Sequence, residues 1–587
     1  MNVSNMPKSI LLIALSFSLY LSVNSAALSA VSPLPLLVEQ CLQLQPPEPV
    51  LISSPNPLRD IEDAVAKSRA LEASMLGLFN VKDRLRYYKS MAISPKYQES
   101  LLQCQLHLAD LMAETLASPA LAQLLSFNNQ ENQDNQELLQ LSLRWSDLVD
   151  DNANLPHKSQ LHTSQAAVKL GLRSQALTLQ FGNTHCDINQ GKETKAVLQT
   201  KSKSFDKNIA AYLIQQKDSR CQQLVWNAYQ GRAREKNAEA LTRIARLRNE
   251  SAAQAGFRDH TGYSLSKQFL SKPELVKAYL DSVTRRVDSP PWQFGTSLSQ
   301  SRITEVAPLD SVSMLTRLYK AAEPLGFHVE IVTDNIHRVW HRRRLLGDIF
   351  LGEAPYIRAQ TLRFPVVGNQ FGQMQISSKP LLNSYREQQA LIKATATVLA
   401  TLSSSSHHYL INALGETGDT SKLGRLWLEY YLTDAISLSL DDNSREQKLA
   451  SYGRQLKVFR AKVALNFYSD TEPTLYPNLS DEFIRAFGQA WSESQNYAYN
   501  FFAIAEEGPI YYQDVWQESL ANFVYQTTKN CQEQYKVFDI LMINEPSSRL
   551  EQRLETLLGS PIDANSLIKR IHDATLPKNQ RPITCSL

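Results

Sequence analysis

The chain has 587 residues, 43% of them hydrophobic and 20% charged, with a formal net charge of +3. That length is enough for more than one domain and a large buried core, and the composition is ordinary for a globular protein. Lys and Arg are scattered, which argues against nucleic acid as a partner.

The N-terminus reads as a secretory signal. Lys8 supplies a positive n-region, Ile10 to Val23 an apolar run, and Ser25 and Ala27 a −3/−1 pair before cleavage. A retained signal anchor is the alternative, but the run is short for a membrane span of about 20 residues. No later segment reaches spanning length, so no stable membrane insertion is expected after signal cleavage. The mature chain is expected to be exported, to the periplasm. Six cysteines remain there: Cys41, Cys104, Cys186, Cys221, Cys531 and Cys585. An even count fits disulfides, but the sequence does not choose among about 15 pairings. No C-x-x-C spacing occurs, which argues against a thiolate metal site.

Beyond the signal (1–27) the chain reads as an N-terminal helical region (28–220) and a second region (221–587). Asp60 to Asn80 carries Ile61, Val65, Ala66, Leu71, Met75, Leu78 and Phe79 at helical spacing, as does Leu101 to Leu116. The Asn/Gln-rich stretch from Phe127 to Glu137 and the polar residues 151–165 read as loops. From Val225 onward one long helix is predicted, ended by Gly256. Asp281 to Pro308, rich in Ser and Pro, reads as a connector. Residues 327–368 switch to β-like runs and predict a small sheet. From Leu381 helical spacing returns. There it includes T-V-L-A-T-L-S-S-S-S-H-H-Y-L (Thr397–Leu410), which reads as a helix with a hydroxyl-rich middle.

Four stretches between Cys221 and Ile571 resemble, in order, motifs of the thimet oligopeptidase, oligopeptidase A and dipeptidyl carboxypeptidase family of zinc metallopeptidases. They are I-A-R-L-R-N-E-S-A-A-Q-A-G-F-R-D-H (Ile244–His260), L-L-G-D-I-F-L-G (Leu345–Gly352), A-E-E-G-P-I-Y-Y-Q-D-V-W-Q-E-S-L-A (Ala505–Ala521) and L-L-G-S-P-I-D-A-N-S-L (Leu557–Leu567). Gly352 stands where the family's second motif ends in Asp, and the fourth stretch lacks the family's Arg. The resemblance implies a mainly α, elongated, two-lobed metallopeptidase-like fold. It would have a deep central channel and a small β-sheet near the metal site.

In that family the zinc motif H-E-x-G-H-x-x-H lies between the second and third stretches, with a Glu on the next helix as third ligand. The chemistry needs those types: His at i and i+4 share a helical face and bind zinc through nitrogen, and the adjacent Glu is general base toward the metal-bound water. Aligned without a gap, this chain has Ala400 for the first His, Thr401 for the Glu, Ser403 for the Gly and Ser404 for the second His. His407 matches the trailing His, and Glu429 occupies the third-ligand position. No His-Glu dipeptide occurs anywhere in the chain. The resemblance places Tyr511, Tyr512 and Trp516 along a substrate channel. There too, Phe502 stands where the family has a His, and Glu507 and Asp514 stand where it has Tyr.

Ala offers no lone pair, and Ser and Thr hydroxyls are poor zinc ligands, so no cofactor and no catalytic residue are expected. His407 and His408, if helical, would point about 100° apart and could not share an ion. His337 and His341 have ligand spacing for a helix but sit in a strand-like run. Arg342 to Arg344 reads as a solvated turn. The four serines lack a nucleophile elbow and an evident His–acid partnership. Glu429 reads as a leftover carboxylate paired with a cation. The expected function is an exported, catalytically inactive peptidase-like protein that binds peptides or a protein partner in a retained channel. The rival is an active metalloendopeptidase with zinc in a non-standard site, and a third reading is a purely structural subunit.

Overall fold

Helices dominate, as the spacing of apolar residues predicts. The structure is a computed structural model and describes residues 33–47, 61–91, 93–128, 136–153, 155–173, 186, 205–415, 418–469, 474–544 and 548–574. The signal assigned to 1–27 and most of the Asn/Gln-rich tract lie outside the described residues. By contacts the chain divides into two compact units. One is Met1–Glu48 with Ser74–Thr115; the other is Pro49–Ala73 with Leu116–Leu587.

In the first unit, Pro33–Leu42, Pro95–Leu116 and the later turns of Ile61–Lys89 are helical. Leu37, Met75, Phe79, Leu101 and Leu108 are buried there. A Cys41–Cys104 disulfide ties the two shorter helices together across 63 residues.

The second unit holds the remaining described elements around one large apolar core that includes Trp292, Trp427, Phe459, Trp491 and Trp516. Three sequence expectations need correction here. Residues 151–165, read as a polar loop, are helical apart from the break between Gln136–Ala153 and the helix Leu155–Leu172. Its buried stripe is narrow, Ser164, Val168 and Gly171, and packs on the helix Arg234–Gln254. A Cβ at Gly171 would fall 1.9 Å from Asn237 Oδ1, so contact depends on small and polar groups that give no hydrophobic signal. The helix predicted from Val225 to Gly256 is two helices, Ser219–Gly231 and Arg234–Gln254. Glycine is a poor helix former, and at the break Arg232 turns back to donate to the Tyr229 carbonyl at 2.7 Å. The Ser/Pro-rich connector contains the helix Pro291–Ser299, anchored by buried Trp292. The stop at Gly256 is as expected, with φ +82.

The predicted sheet has five strands: β1 (Phe327–Thr333), β2 (Ile336–His341), β3 (Arg344–Glu353), β4 (Arg358–Arg363) and β5 (Gly372–Ser378). Their order is β1-β2-β3-β5-β4, with β3 and β5 parallel and the other neighbours antiparallel. The helix Tyr385–Leu402 packs on β4 and β5. Gly347 of β3 and Gly372 of β5 are register partners. A Cβ on either would meet Leu402 Cδ2, at 2.8 Å and 2.5 Å, so the pair forms a seat for the last residue of that helix. No described helix is long and apolar enough to cross a membrane.

Candidate functional site

The helix that carries the stretch aligned above with the zinc motif begins at Ser384, whose hydroxyl accepts from Glu387 N–H. It ends at Leu402. The expectation of a helix running on through Leu410 is therefore corrected: Ala400 and Thr401 lie in the last turn, Ser403 is the C-cap, and Ser404 lies beyond it. Serine and threonine hydroxyls here bond back to carbonyls four residues earlier, Thr401 to Thr397 at 2.8 Å and Ser403 to Leu399 at 2.7 Å. Such bonds favour caps over helix interiors. A short helix, Tyr409–Leu414, resumes after the loop.

The loop is held by a carboxylate from far away in sequence. Oε1 of Glu137, on the helix Gln136–Ala153, accepts from Ser406 Oγ (2.7 Å) and His407 N–H (3.1 Å) and lies 3.2 Å from His408 Nδ1. Burial pushes the Glu137 carboxyl up, but the bonds from His408, Ser406 and the His407 amide outweigh it and draw its pKa down to about 2. Asn412 reinforces the loop, accepting from Ser406 N–H and donating to Ser406 O and Pro365 O. Ser405 Oγ donates to Ile543 O. Arg344 donates to Ser404 O at 3.1 Å.

His408 is fully buried, and its Nε2 lies 2.9 Å from Ser68 Oγ. A serine, a histidine and a glutamate thus meet, a juxtaposition no sequence pattern signals. It lacks nucleophile chemistry on two counts. Ser68 is only 2% exposed, so no substrate reaches it. Its hydroxyl donates to Val65 O at 2.8 Å, which makes it an acceptor toward the imidazole, the reverse of the polarity a nucleophilic serine needs. Beside it, Glu72 is buried and its Oε2 accepts from Leu410 N–H at 3.3 Å. Burial raises its pKa to about 8, against the lowering effect of the Leu410 and Tyr409 amides.

His407 turns elsewhere, its Nδ1 3.1 Å from Val367 O, so the two histidines serve different contacts. Glu429, on the helix Leu423–Ala435, pairs with a cation, Arg425, at 3.2 Å. Burial raises its carboxyl pKa, while Lys393 and Arg425 pull the other way. His337 and His341 lie on strand β2, buried, beside Tyr319 OH and Leu325 O. Arg342 makes the turn, with φ 54, and pairs with Asp539. Among the described residues no group of three or more His, Cys, Asp or Glu is gathered as metal ligands would be. The residues at the motif positions do not fit a zinc ion: Ala400 carries no donor atom, the Thr401 hydroxyl is bonded back to the Thr397 carbonyl, and Ser404 offers only a hydroxyl. The i, i+4 pair is also split between helix and loop.

The first and third stretches quoted above touch each other. Arg248, buried, donates to Tyr468 OH (2.8 Å), Ala505 O (2.9 Å) and Glu506 O (2.8 Å). It thereby clamps the turn that precedes Gly508. At Gly508 φ is +62, and a Cβ would lie 2.7 Å from Arg248 Nη1.

Of the six residues assigned to a channel, two are corrected. Tyr512 and Trp516 are fully buried. Tyr512 OH donates to buried Asp419, which also accepts from the Phe269 and Leu270 amides. Trp516 stacks on Phe269 and meets Tyr279 edge-on. Trp516 is core because the helix Gln513–Thr528 turns that face inward, and Tyr512 sits at that helix's N-cap, one turn before Trp516. Phe502, Tyr511 and Asp514 are half-buried and Glu507 exposed. Asp514 pairs with Lys422 at 2.7 Å, and partial desolvation together with the charges of Asp514 and Glu506 raises the Glu507 carboxyl.

Beside the serine loop lies a cavity of about 510 Å³, whose lining includes Arg69, Glu137, Arg344, Ser404 and Arg553. A neighbouring cavity of about 570 Å³ shares Arg344, Ile543, Asn544 and Arg553 with it. Glu137, Arg69 and Arg553 were not singled out from sequence; their cavity-lining role has no local pattern.

No family model and no curated protein matches the chain. Among solved structures it is similar to a Pyrococcus furiosus carboxypeptidase in an apo-Mg form. The two are 12% identical, the match covers 88% of this chain and 100% of that one, and the TM-score is 0.41. Nothing about activity follows from a likeness at that level.

Proposed function

We propose that the chain is an exported, catalytically silent relative of the zinc oligopeptidases that binds peptides or a protein partner without cutting. One observation carries this reading: the helix that should present two histidines and a glutamate has Ala400 and Thr401 in its last turn and leaves helical geometry before Ser404. A zinc peptidase holds its metal through three protein groups and keeps a further position for water. Here the third-ligand position, Glu429, is paired with Arg425. Export is supported by the N-terminal apolar run and by the disulfides Cys41–Cys104 and Cys186–Cys221, which suit an oxidising compartment. Peptide binding is supported by the exposed or half-buried strip of Phe502, Glu507, Tyr511 and Asp514.

The test is zinc content per mature chain after equilibration with zinc and removal of loose metal, paired with digestion of a mixed peptide library. The expected result is well below one zinc per chain and no cleavage. Close to one tightly held zinc, or cleavage abolished by a chelator, would overturn the proposal.

A further inference from the structure

The sheet ends in an open edge. Strand β1 lies at one end of the strand order and, among the described residues, pairs only with β2. In an antiparallel ladder, residues alternate between exchanging both backbone bonds with the neighbour and turning those groups away from it. Two flanking bonds fix the alternation here: Arg342 N–H donates to Gly326 O at 2.8 Å, and Leu351 N–H donates to Asn335 O at 2.9 Å. His328 and Glu330 therefore bond to β2 through their main chain, while Phe327, Val329 and Ile331 turn their N–H and C=O groups outward. None of the described residues meets those outward groups. Sheets guard such edges with Lys or Pro. Phe327–Ile331 contains neither, and Ile331 is 60% exposed. A bulge between Ile331 and Thr333 ends the regular stretch.

The edge complements itself. On one face a row of alternating charge crosses the sheet: Asp348 of β3 accepts from Arg338 of β2 at 3.0 Å, and Glu330 of β1 is the register partner of Arg338. The row stops at Glu330, exposed at the edge beside exposed His328. A second copy docked antiparallel about a two-fold axis at Val329 would set its His328 opposite Glu330, and its Glu330 opposite His328. The same register pairs Phe327 with Ile331 and Val329 with its own copy, the residues whose backbone groups point outward. The neighbouring registers of that parity would set Glu330 against Glu330 or His328 against His328.

We propose that β1 is a dimerisation edge, through which two copies of the chain join their sheets antiparallel along Phe327–Ile331. Opposite charges directly across a strand pair stabilise it and like charges destabilise it, and an imidazole donates to a carboxylate whether neutral or protonated. The contact is isologous, so it closes at two copies. It stands whether or not the chain binds or cleaves peptides.

The experiment is sedimentation equilibrium of the full mature chain over a range of concentrations, with hydrogen exchange of a peptide covering 325–333. A monomer–dimer equilibrium is expected, with that peptide protected only where the dimer is populated. Val329→Pro deletes a donor that β2 does not use, a change edge strands tolerate. It should leave the chain monomeric with its circular dichroism unchanged. His328→Glu should weaken the dimer about tenfold, since the change acts twice across the axis, and His328→Lys should match or exceed the parent. If Val329→Pro does not fold, the two changes at exposed His328 decide alone. A chain that stays monomeric up to its solubility, including one whose edge is protected only by an added extended peptide, would overturn the proposal. So would a dimer that survives Val329→Pro, or equal dimer affinity in His328→Glu and His328→Lys.

Discussion

Replacing Glu137 with Gln should release the serine loop. The carboxylate collects Ser406 Oγ, His407 N–H and His408 Nδ1 on one oxygen, and its pKa falls from 4.5 to about 2 in the fold. A carboxyl held below its unfolded value adds stability at pH above about 4.5, and that contribution is lost as pH falls toward 2. By linkage the full effect is about 3 kcal/mol, applied without discount because the side chain is only 16% exposed. Glutamine keeps an acceptor oxygen, so the expected loss is about 2 kcal/mol. Hydrogen exchange followed by mass spectrometry on a peptide covering 403–412 reads this locally. At pH 7 the variant should exchange about thirtyfold faster there and unchanged in the 385–399 helix. In urea titrations the difference between the two proteins should shrink at pH 3. Exchange within about threefold of the parent at pH 7 would refute the idea that this carboxylate organises the loop.

Glu72 should behave in the opposite sense. Its folded pKa is raised to about 8, so its contribution is complete below pH 4.5 and declines as pH climbs to 8. Glu72→Gln should therefore match the parent in urea at pH 5 and exceed it by a measurable midpoint shift at pH 8; a parent more stable at both would refute this. Arg248→Ala should cost about 3 kcal/mol or more, because it strands the Ala505 and Glu506 carbonyls that the guanidinium bonds. Arg248→Lys, lacking the fork, should recover less than half of the loss in urea unfolding at pH 7.

Local grammar was read well from sequence, and long-range dependence was not. The apolar spacing of Ile61 to Phe79, the β-like runs after Phe327 and the stop at Gly256 each report a periodicity or a backbone need that a few neighbouring residues express. Glu429 was expected to pair with a cation but the partner was not named, although Arg425 is one helical turn away. The end of the motif helix was not legible, because Leu399 and Leu402 continue the helical stripe. What stops the helix is a set of hydroxyls whose loop is completed by Glu137, 269 residues from Ser406. Tyr512 and Trp516 were misassigned to a surface because a resemblance conveys residue type and position without saying which face of a helix is buried.

The glycine seat beneath Leu402 bears on what substitutions in the stretch that follows it could achieve. Leu402 is locked between Gly347 and Gly372, where neither strand has room for a side chain, and the residues after it are pulled sideways toward Glu137 and Val367. Three point substitutions, Ala400→His, Thr401→Glu and Ser404→His, would supply the letters of a zinc motif but not the shared helical face that makes those letters a metal site. Such a face would need a different backbone after Leu402, and so a change at residues on a helix and a strand that a motif search never inspects. The stretch is governed from outside itself: Glu137 on one side and the paired glycines on the other set where its helix stops.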